Sequence, residues 1–384
     1  MTTTSIKLGL ACAVLALATG GCGKQQHDGS GTATGSGAAT KTKTTTGTTP
    51  GTATTATAAP DAAVAAAPPL PITQDQLSTR YGQCWGYFNG GVWDLYRGCY
   101  ADDAVWEGPP LTTGADAIVG FARGFRTGFP DSTAEQQLTL IHGTTVVSIT
   151  LLRGTNTAPM PGPDGTPQPP NGKQMGLMVA HLVDVDAAGK ITREAMVQDN
   201  ASLLGQLGAL PAGVPFRAVV SEGWPAQQIV LARADVLEET NVAAYAKGVE
   251  AFNKHDLKAV AAGMTDDLVW SEASMPRDQS RAEMIKGLTG MWAGFSDMKQ
   301  TPAWTWGAGE YVVSRGTMTG TNDGKSPIPG VARTGKKLDV PYVEVDHFRA
   351  GKVDKAWLFF DGTVVSEQLG LGSPPPAPTA AKPD

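Results

Sequence analysis

The sequence predicts an α+β protein of two tandem domains, each an antiparallel sheet packed on helices, and three observations carry that prediction. The chain repeats itself: Phe88-Asn89 and Asp102-Asp103-Ala-Val105-Trp106 recur as Phe252-Asn253 and Asp266-Asp267-Leu-Val269-Trp270, at a constant offset of 164 (252 − 88 and 270 − 106). Within each copy, helical periodicity comes first and runs rich in β-branched and aromatic residues come last, the order of helices laid on one face of a sheet. Each copy spans about 130 residues, close to the commonest domain length, so each can bury a core of its own.

The repeat continues beyond these motifs. Gly154-Thr155-Asn156 answers Gly320-Thr321-Asn322, Gly172-Lys173 answers Gly335-Lys336, Gly189-Lys190 answers Gly351-Lys352, and Asp199 to Gly208 answers Asp361 to Gly370. These echoes divide the chain into a first domain over 72–210, a linker over 211–231 holding Pro211, Pro215 and Pro225, a second domain over 232–372, and a Pro-rich tail over 373–384.

Ahead of the domains, Met1 to Cys22 has Lys7, then an apolar run from Leu8 to Ala18, then small residues. That is the layout of a secretory signal, and the run is too short to span a bilayer. Ala18-Thr19-Gly20-Gly21-Cys22 resembles a bacterial lipoprotein signal, which implies cleavage before Cys22 and lipid on its thiol; Thr19 stands where such signals usually have Leu. The expectation is a protein held in the cell envelope, at the outer rather than the inner membrane because Gly23 follows the cysteine, with its folded part periplasmic or surface-exposed. Residues 23–71 are mostly Thr, Gly, Ala, Ser and Pro. Such a segment cannot bury enough apolar surface to offset its ordering entropy, so it reads as a disordered tether.

In the first copy helices are predicted over Gln74 to Asn89 and Ala115 to Phe125. In the second, Val242, Tyr245, Val249 and Phe252 form one apolar helical stripe, Asp256 caps a helix over Leu257 to Met264, and another runs from Arg281 to Phe295. Strands follow at Gln300 to Trp306, Tyr311 to Thr321, Lys337 to Arg349 and Lys352 to Asp361. Asp102, Asp103, Asp266 and Asp267 are expected to shape the turn before a strand.

Composition excludes several classes. A net charge of −6 without a basic run argues against nucleic acid as partner. The five histidines and four cysteines contain no closely spaced ligand pairs, so no metal or other cofactor is expected. No phosphate loop and no Gly-x-Ser-x-Gly elbow is present.

The order Asn-x-His-Asp-Leu, Asp-Asp-x-Val-Trp, Thr-Gly-Thr-Asn, Thr-Gly-Lys, Gly-Lys-Val, Trp357-x-x-x-Asp361 and Gln-Leu-Gly resembles the SnoaL-like polyketide cyclase (ester cyclase) branch of the NTF2-like superfamily. The likeness is good over 238–372 and looser over 75–210. It implies a cone, a curved sheet wrapped round a helix with a pocket at the open end. It also implies that an Asp ending the last strand serves as general acid/base, which falls on Asp361 and Asp199. Such domains pair through the outer face of the sheet, so the two copies are expected to form an intramolecular pseudo-dimer.

Strand alternation puts Phe359 and Trp357 on the face of Asp361. With Trp270 and Trp106 as cone wall, these four are the pocket candidates, and burial among them would raise a carboxyl pKa. The alternative for Asp361 is to satisfy amides of the following helix. In the first copy the face of Asp199 carries Val197, Ala195 and Arg193, and Arg193 is placed to pair with Asp199 and hold its pKa down. His181, Glu344, Asp346 and His347 are further polar candidates on preceding strands.

Cys84 and Cys99 occur only in the first copy, late in its first and second helices, where a structural disulfide and two free thiols are both open. Ala158 to Pro170 reads as a lid over the pocket or a plain hairpin. Two functions stand: binding of a small apolar molecule with cyclase- or isomerase-type chemistry in the second domain, or a non-catalytic ligand- or protein-binding module.

Overall fold

The computed structural model describes residues 71–108, 111–161, 167–210, 215–325 and 332–371. The signal and lipidation readings at residues 1–22, the tether as far as residue 70 and the tail over 373–384 lie outside the described residues.

Domain 1 runs α1 (Gln74–Gly90), α2 (Trp93–Arg97), β1 (Tyr100–Glu107), β2 (Thr112–Thr113), α3 (Ala115–Gly128), β3 (Thr133–His142), β4 (Thr145–Thr155), β5 (Met160–Pro161), β6 (Pro167–Gln168), β7 (Gln174–Val185), β8 (Ile191–Val197) and α4 (Asn200–Gln206). Strand β9 (Gln228–Leu231) belongs to the linker. Domain 2 runs α5 (Val236–Asn253), α6 (Leu257–Ala262), β10 (Met264–Glu272), β11 (Gln279–Ser280), α7 (Arg281–Gly294), β12 (Lys299–Ala308), β13 (Tyr311–Thr321), β14 (Lys337–Arg349), β15 (Lys352–Phe359) and α8 (Gly362–Leu369). The sheets are ordered β2-β1-β8-β7-β4-β3-β9 and β11-β10-β15-β14-β13-β12. Long strands pair antiparallel, except that β1 runs parallel to β8, β10 to β15 and β9 to β3.

The repeated motifs are the joints of this fold. Asn89 closes a two-way bond with the backbone of Ala134 at 2.8 and 2.9 Å, tying the end of α1 to β3, and Asn253 does the same with Gln300. Asn156 and Asn322 each donate from Nδ2 to the last carbonyl of the preceding long helix, Gly128 and Gly294. Gln206 and Gln368 each bracket one residue of the strand beneath, Gly176 and Asp339, with both amide atoms. An amide side chain can donate and accept at once, so it satisfies backbone groups where strand and helix meet. Gly189 and Gly351 both hold φ of +74°, a left-handed turn that favours glycine.

Three expectations differ in detail. The Asp pairs lie inside β1 and β10 rather than before them, where register shifts between Tyr100 and Val105 and between Met264 and Val269, a step of five residues there standing against a step of two on the partner strand; such an irregularity bends the strand. The linker is more than a strap, since β9 adds a strand to the domain 1 sheet beside β3. Of the loop read as a lid, β5 and β6 form a two-residue-a-side hairpin, and 162–166 lie outside the described residues.

Both faces of each main sheet are buried. The inner face of domain 1 packs Val146, Leu177, Val179 and Val183 against Tyr81, Trp85 and Phe88 of α1. The outer faces of the two sheets share one cluster, in which Leu138, Val147, Ile149 and Leu182 of domain 1 meet Val313, Val343, Val345 and Phe359 of domain 2. At ~1.5–3 kcal/mol for each large apolar side chain removed from water, this shared cluster is a substantial part of what joins the domains.

Candidate functional site

Strand β7 reads as a nearly continuous apolar run because both its faces are buried. Ala180 and Leu182 face the other domain, while Leu177, Val179, Val183 and, among them, His181 face the cone interior. On the neighbouring strand β8, Glu194 and Met196 point inward. Val183 pairs in register with Glu194 and His181 with Met196, so His181 and Glu194 are diagonal neighbours on one inner surface.

They bond directly. His181 Nδ1 lies 3.0 Å from Glu194 Oε1, and Tyr100 donates its hydroxyl to Glu194 Oε2 at 2.6 Å. Tyr96 lies 2.8 Å from the Tyr100 oxygen, and since Tyr100 spends its proton on Glu194, Tyr96 donates to Tyr100. All four side chains are buried. Burial, and then the Glu194 charge, raise the hydroxyl pKa of Tyr96 and Tyr100 above the usual phenol range, so both stay protonated donors. Trp85 sets its ring at 72° to His181, with centroids 4.7 Å apart. The other imidazole nitrogen, Nε2, has no hydrogen-bond partner among the described residues.

His181 and Glu194 form the polar wall of a cavity of about 380 Å³ inside the domain 1 cone. Its remaining walls are apolar, with Trp85, Phe88, Trp106, Phe121 and Leu177 prominent. Its rim is shared: Gln198 and Asn200 come from domain 1, and Pro341, Asp361, Val364 and Glu367 from domain 2. A disulfide joins Cys84 to Cys99, with Cα atoms 6.0 Å apart. It ties the helix that carries Trp85 to the start of the strand that carries Tyr100.

Asp199 and Asp361 are the N-caps of α4 and α8, and each reaches across to the other domain. Asp199 accepts from its own Ser202 amide at 2.8 Å and from the Gly362 amide at 2.9 Å. Asp361 accepts from the Thr363 amide at 2.9 Å and from Asn200, through its backbone amide at 3.3 Å and its side chain at 2.6 Å. Burial raises the Asp199 carboxyl, against the lowering by Ser202 and Gly362. Arg193 does not pair with Asp199 but with Glu107 on the outer side of the sheet.

The remaining candidates separate. Trp106 lines the domain 1 cavity. Phe359 and Trp357 do not share a cavity with Asp361: both lie on the outer face of β15, packed against domain 1, with Trp357 5.2 Å from Trp224. Trp270 packs on Met284 and Leu288 beneath α7. Glu344 and Asp346 are buried inside the domain 2 cone, where Glu344 accepts from Tyr245 at 2.9 Å and Gln300 at 2.6 Å, and Asp346 Oδ1 has no partner. Burial raises both carboxyls, and the Glu344 charge raises Asp346 further. His347 faces away, bonded to Asp354 at 2.5 Å.

Register shows how the two cones differ. Ser148 pairs with His181 in domain 1, and Ser314 pairs with Glu344 in domain 2. Val183 faces Glu194 where Asp346 faces Ala356. Domain 2 thus has neither the imidazole nor its carboxylate partner. Glu194, Tyr96 and Tyr100 escaped sequence reasoning; the available signal was Glu194 alternating with Met196 beside the strand whose inner-face apolar run is broken only by His181.

A profile described as SnoaL-like polyketide cyclase matches residues 75–207, and a second, described as SnoaL-like domain, matches 245–356. Among solved structures, AclR from Streptomyces galilaeus is 25% identical, covering 35% of this chain and 97% of its own, with a TM-score of 0.32. IdmH from Streptomyces antibioticus is 22% identical over 34% of this chain and 98% of its own, TM-score 0.31. A SnoaL-like protein from Jannaschia sp. CCS1 is 20% identical over 37% and 99%, TM-score 0.33. No curated protein matches the chain. Each cone carries its own match, in the order in which the internal repeat places them, and the chain is a tandem of two SnoaL-like domains of the NTF2-like α+β fold.

Proposed function

We propose that domain 1 is a cofactor-independent acid-base catalyst of the cyclase or isomerase type, acting on a small, largely apolar carbonyl compound, and that domain 2 completes its rim. The observation that carries this reading is the buried His181–Glu194–Tyr100 relay in the wall of an otherwise apolar cavity. Glu194 fixes the imidazole proton on Nδ1, which leaves the Nε2 lone pair for a substrate. Nε2 takes a proton from the carbon next to a carbonyl, the Glu194 carboxylate stabilises the imidazolium, and an enolate forms. Where the substrate has an adjoining double bond, the conjugated enolate takes the proton back at its γ-carbon, which is isomerisation; otherwise its α-carbon attacks a second carbonyl in the same molecule. In that case the resulting alkoxide takes the proton back from Nε2. The matched family description, polyketide cyclase, is consistent with the second course.

This reading moves the proton transfer from Asp361 to His181, because the Asp361 carboxylate is engaged with two helix starts. The test is exchange of the α-hydrogens of 2-tetralone in deuterated buffer, followed by proton NMR. The full chain should accelerate exchange, His181→Gln should abolish the acceleration while still binding the ketone, and Asp361→Asn should retain it. Exchange that survives His181→Gln and is lost in Asp361→Asn would return the role to Asp361.

A non-catalytic reading is favoured for domain 2 by its Glu344 and Ala356, which stand where domain 1 has His181 and Glu194. Its role is then to close the cavity of domain 1, the two domains acting as an intramolecular pseudo-dimer. We also propose that lipid on Cys22 holds the pair at the envelope. Mass spectrometry of the membrane fraction should find diacylated Cys22, and Cys22→Ser should release the protein.

A further inference from the structure

Outside the cone, four consecutive strands of domain 1 bring one residue each into a single cross-strand row. His142 pairs with Thr145, Thr145 with Asp184, and Asp184 with Arg193. The row lies on the outer face of the sheet, toward domain 2. Facing it are Trp304 and Trp306 of β12, with rings 6.2 Å apart and 13° from parallel, and Arg315, which pairs in register with Trp304. His142 continues the stack, 5.5 Å from Trp306 at 22°. Together these residues enclose a second cavity of about 310 Å³ in the seam between the domains.

The seam's symmetry explains why there is space. At the equivalent row of domain 2, Tyr311, His347 and Lys355 are in register, and there the linker strand fills in, with Tyr311 donating to Gln228 at 2.6 Å. Among the described residues the linker gives one strand, β9, and it lies at that end, so the other end stays open. The residues equivalent to Trp304, Trp306 and Arg315 in domain 1 are Leu138, Leu140 and Ile149 (offset 166), so the aromatic and cationic lining is a feature of this end alone.

We propose that this seam cavity is a second ligand site, and that it takes a planar aromatic carboxylate. The plane lies along the Trp304–Trp306–His142 stack, where flat rings recover offset-stacked contact. The carboxylate meets Arg315. Glu107 binds Arg315 through Nη2 alone at 3.0 Å, and its other oxygen holds Arg193. Nη2 still carries a second hydrogen, and Nε and Nη1 have no partner among the described residues, so Nη2 together with one of them remains a two-pronged edge suited to a carboxylate. Burial works against the charge on Glu107, but the two guanidiniums outweigh it and hold its carboxyl below the usual range, so Glu107 remains the fixed counter-charge that orients both arginines. Asp184, beside Arg193 in the row, is already engaged by the Thr145 hydroxyl at 2.8 Å.

The site is independent of the proton-transfer reading. Isothermal titration of the full chain with 2-naphthoate tests it, alongside neutral 2-naphthamide. Arg315→Gln should weaken naphthoate roughly tenfold with little effect on the amide, since one charged partner is lost. Trp306→Leu should weaken both, and His181→Gln neither. Trp304→Leu, expected to behave as Trp306→Leu does, stands in should that variant unfold early. The proposal is overturned if naphthoate does not bind, if its affinity is unchanged in both Arg315→Gln and the tryptophan variants, or if binding is lost in His181→Gln, which would place the ligand in the domain 1 cone.

Discussion

Glu194→Gln is the sharpest test of the relay, because it exchanges one carboxylate oxygen for an NH2 group and removes the charge while keeping the shape. In the wild type Glu194 accepts twice, from Tyr100 at 2.6 Å and from His181 Nδ1–H at 3.0 Å. A carboxamide can accept only at its oxygen. If that oxygen keeps Tyr100, the amide N–H points at Nδ1, which must then accept; the imidazole proton moves to Nε2 and the base facing the cavity is gone. If the amide turns over, Tyr100 must donate to Tyr96, whose own proton then has no acceptor in a buried site. An unsatisfied buried donor costs about 1–3 kcal/mol, enough to favour the first arrangement about fivefold or more. The variant should therefore lose the contribution of the general base, about 10²–10⁴ in rate or ~3–5 kcal/mol of barrier. Ketone affinity should hold within about fivefold, since no cavity wall moves and one such hydrogen bond is worth ~1 kcal/mol. Nitrogen-15 NMR of the histidines reads the tautomer directly, with Nδ1–H expected in the wild type and Nε2–H in the variant, and α-hydrogen exchange reads the rate. A wild-type His181 already protonated on Nε2 alone, or an exchange rate kept within about threefold, would refute the reasoning.

Three further outcomes follow from the geometry. Asp346 holds a proton that the unfolded chain gives up, because burial and the Glu344 charge raise its carboxyl; the stability this lends is full below the unfolded carboxyl range near ~4 and is lost as pH rises through the folded value. Asp346→Asn should therefore raise the melting temperature more at pH 8 than at pH 4, and an equal effect at both would contradict the assignment. Replacing Cys84 and Cys99 together by Ser opens a loop of 15 residues and should cost domain 1 roughly 3 kcal/mol in urea unfolding, an effect that a reductant reproduces in the wild type but not in the variant. Asp199→Ala removes the cap of α4 and orphans the Gly362 amide across the seam, which should cost roughly 2–4 kcal/mol; a loss below about 1 kcal/mol would mean that water replaces the carboxylate.

The sequence was most legible where local chemistry repeats. Asn89 and Asn253, Gly189 and Gly351, and Asp199 and Asp361 do the same work in each copy, and the predicted strand over Lys337 to Arg349 has the observed bounds. A capping side chain and a left-handed turn depend on residues three or four positions away, so the chain itself carries that information. The alternation of β8 and β15 was equally visible, but it could not say which face is the cavity. In most antiparallel sheets one face is wet and the polar residues mark it. Here both faces are buried, one in the cone and one against the other domain, so Phe359 and Trp357 looked as fit for a pocket as Trp106.

The sequence by itself determined the two copies, the elements within each, their joints and their order, because those rest on spacing along the chain. Only the tertiary structure decided that a cavity in the first cone has an imidazole in its wall, that His181 meets Glu194 and Tyr100, and that Asp199 and Asp361 exchange caps over more than 160 residues. Those meetings depend on the register of strands and on the closure of one sheet against another, which no local pattern of residues encodes.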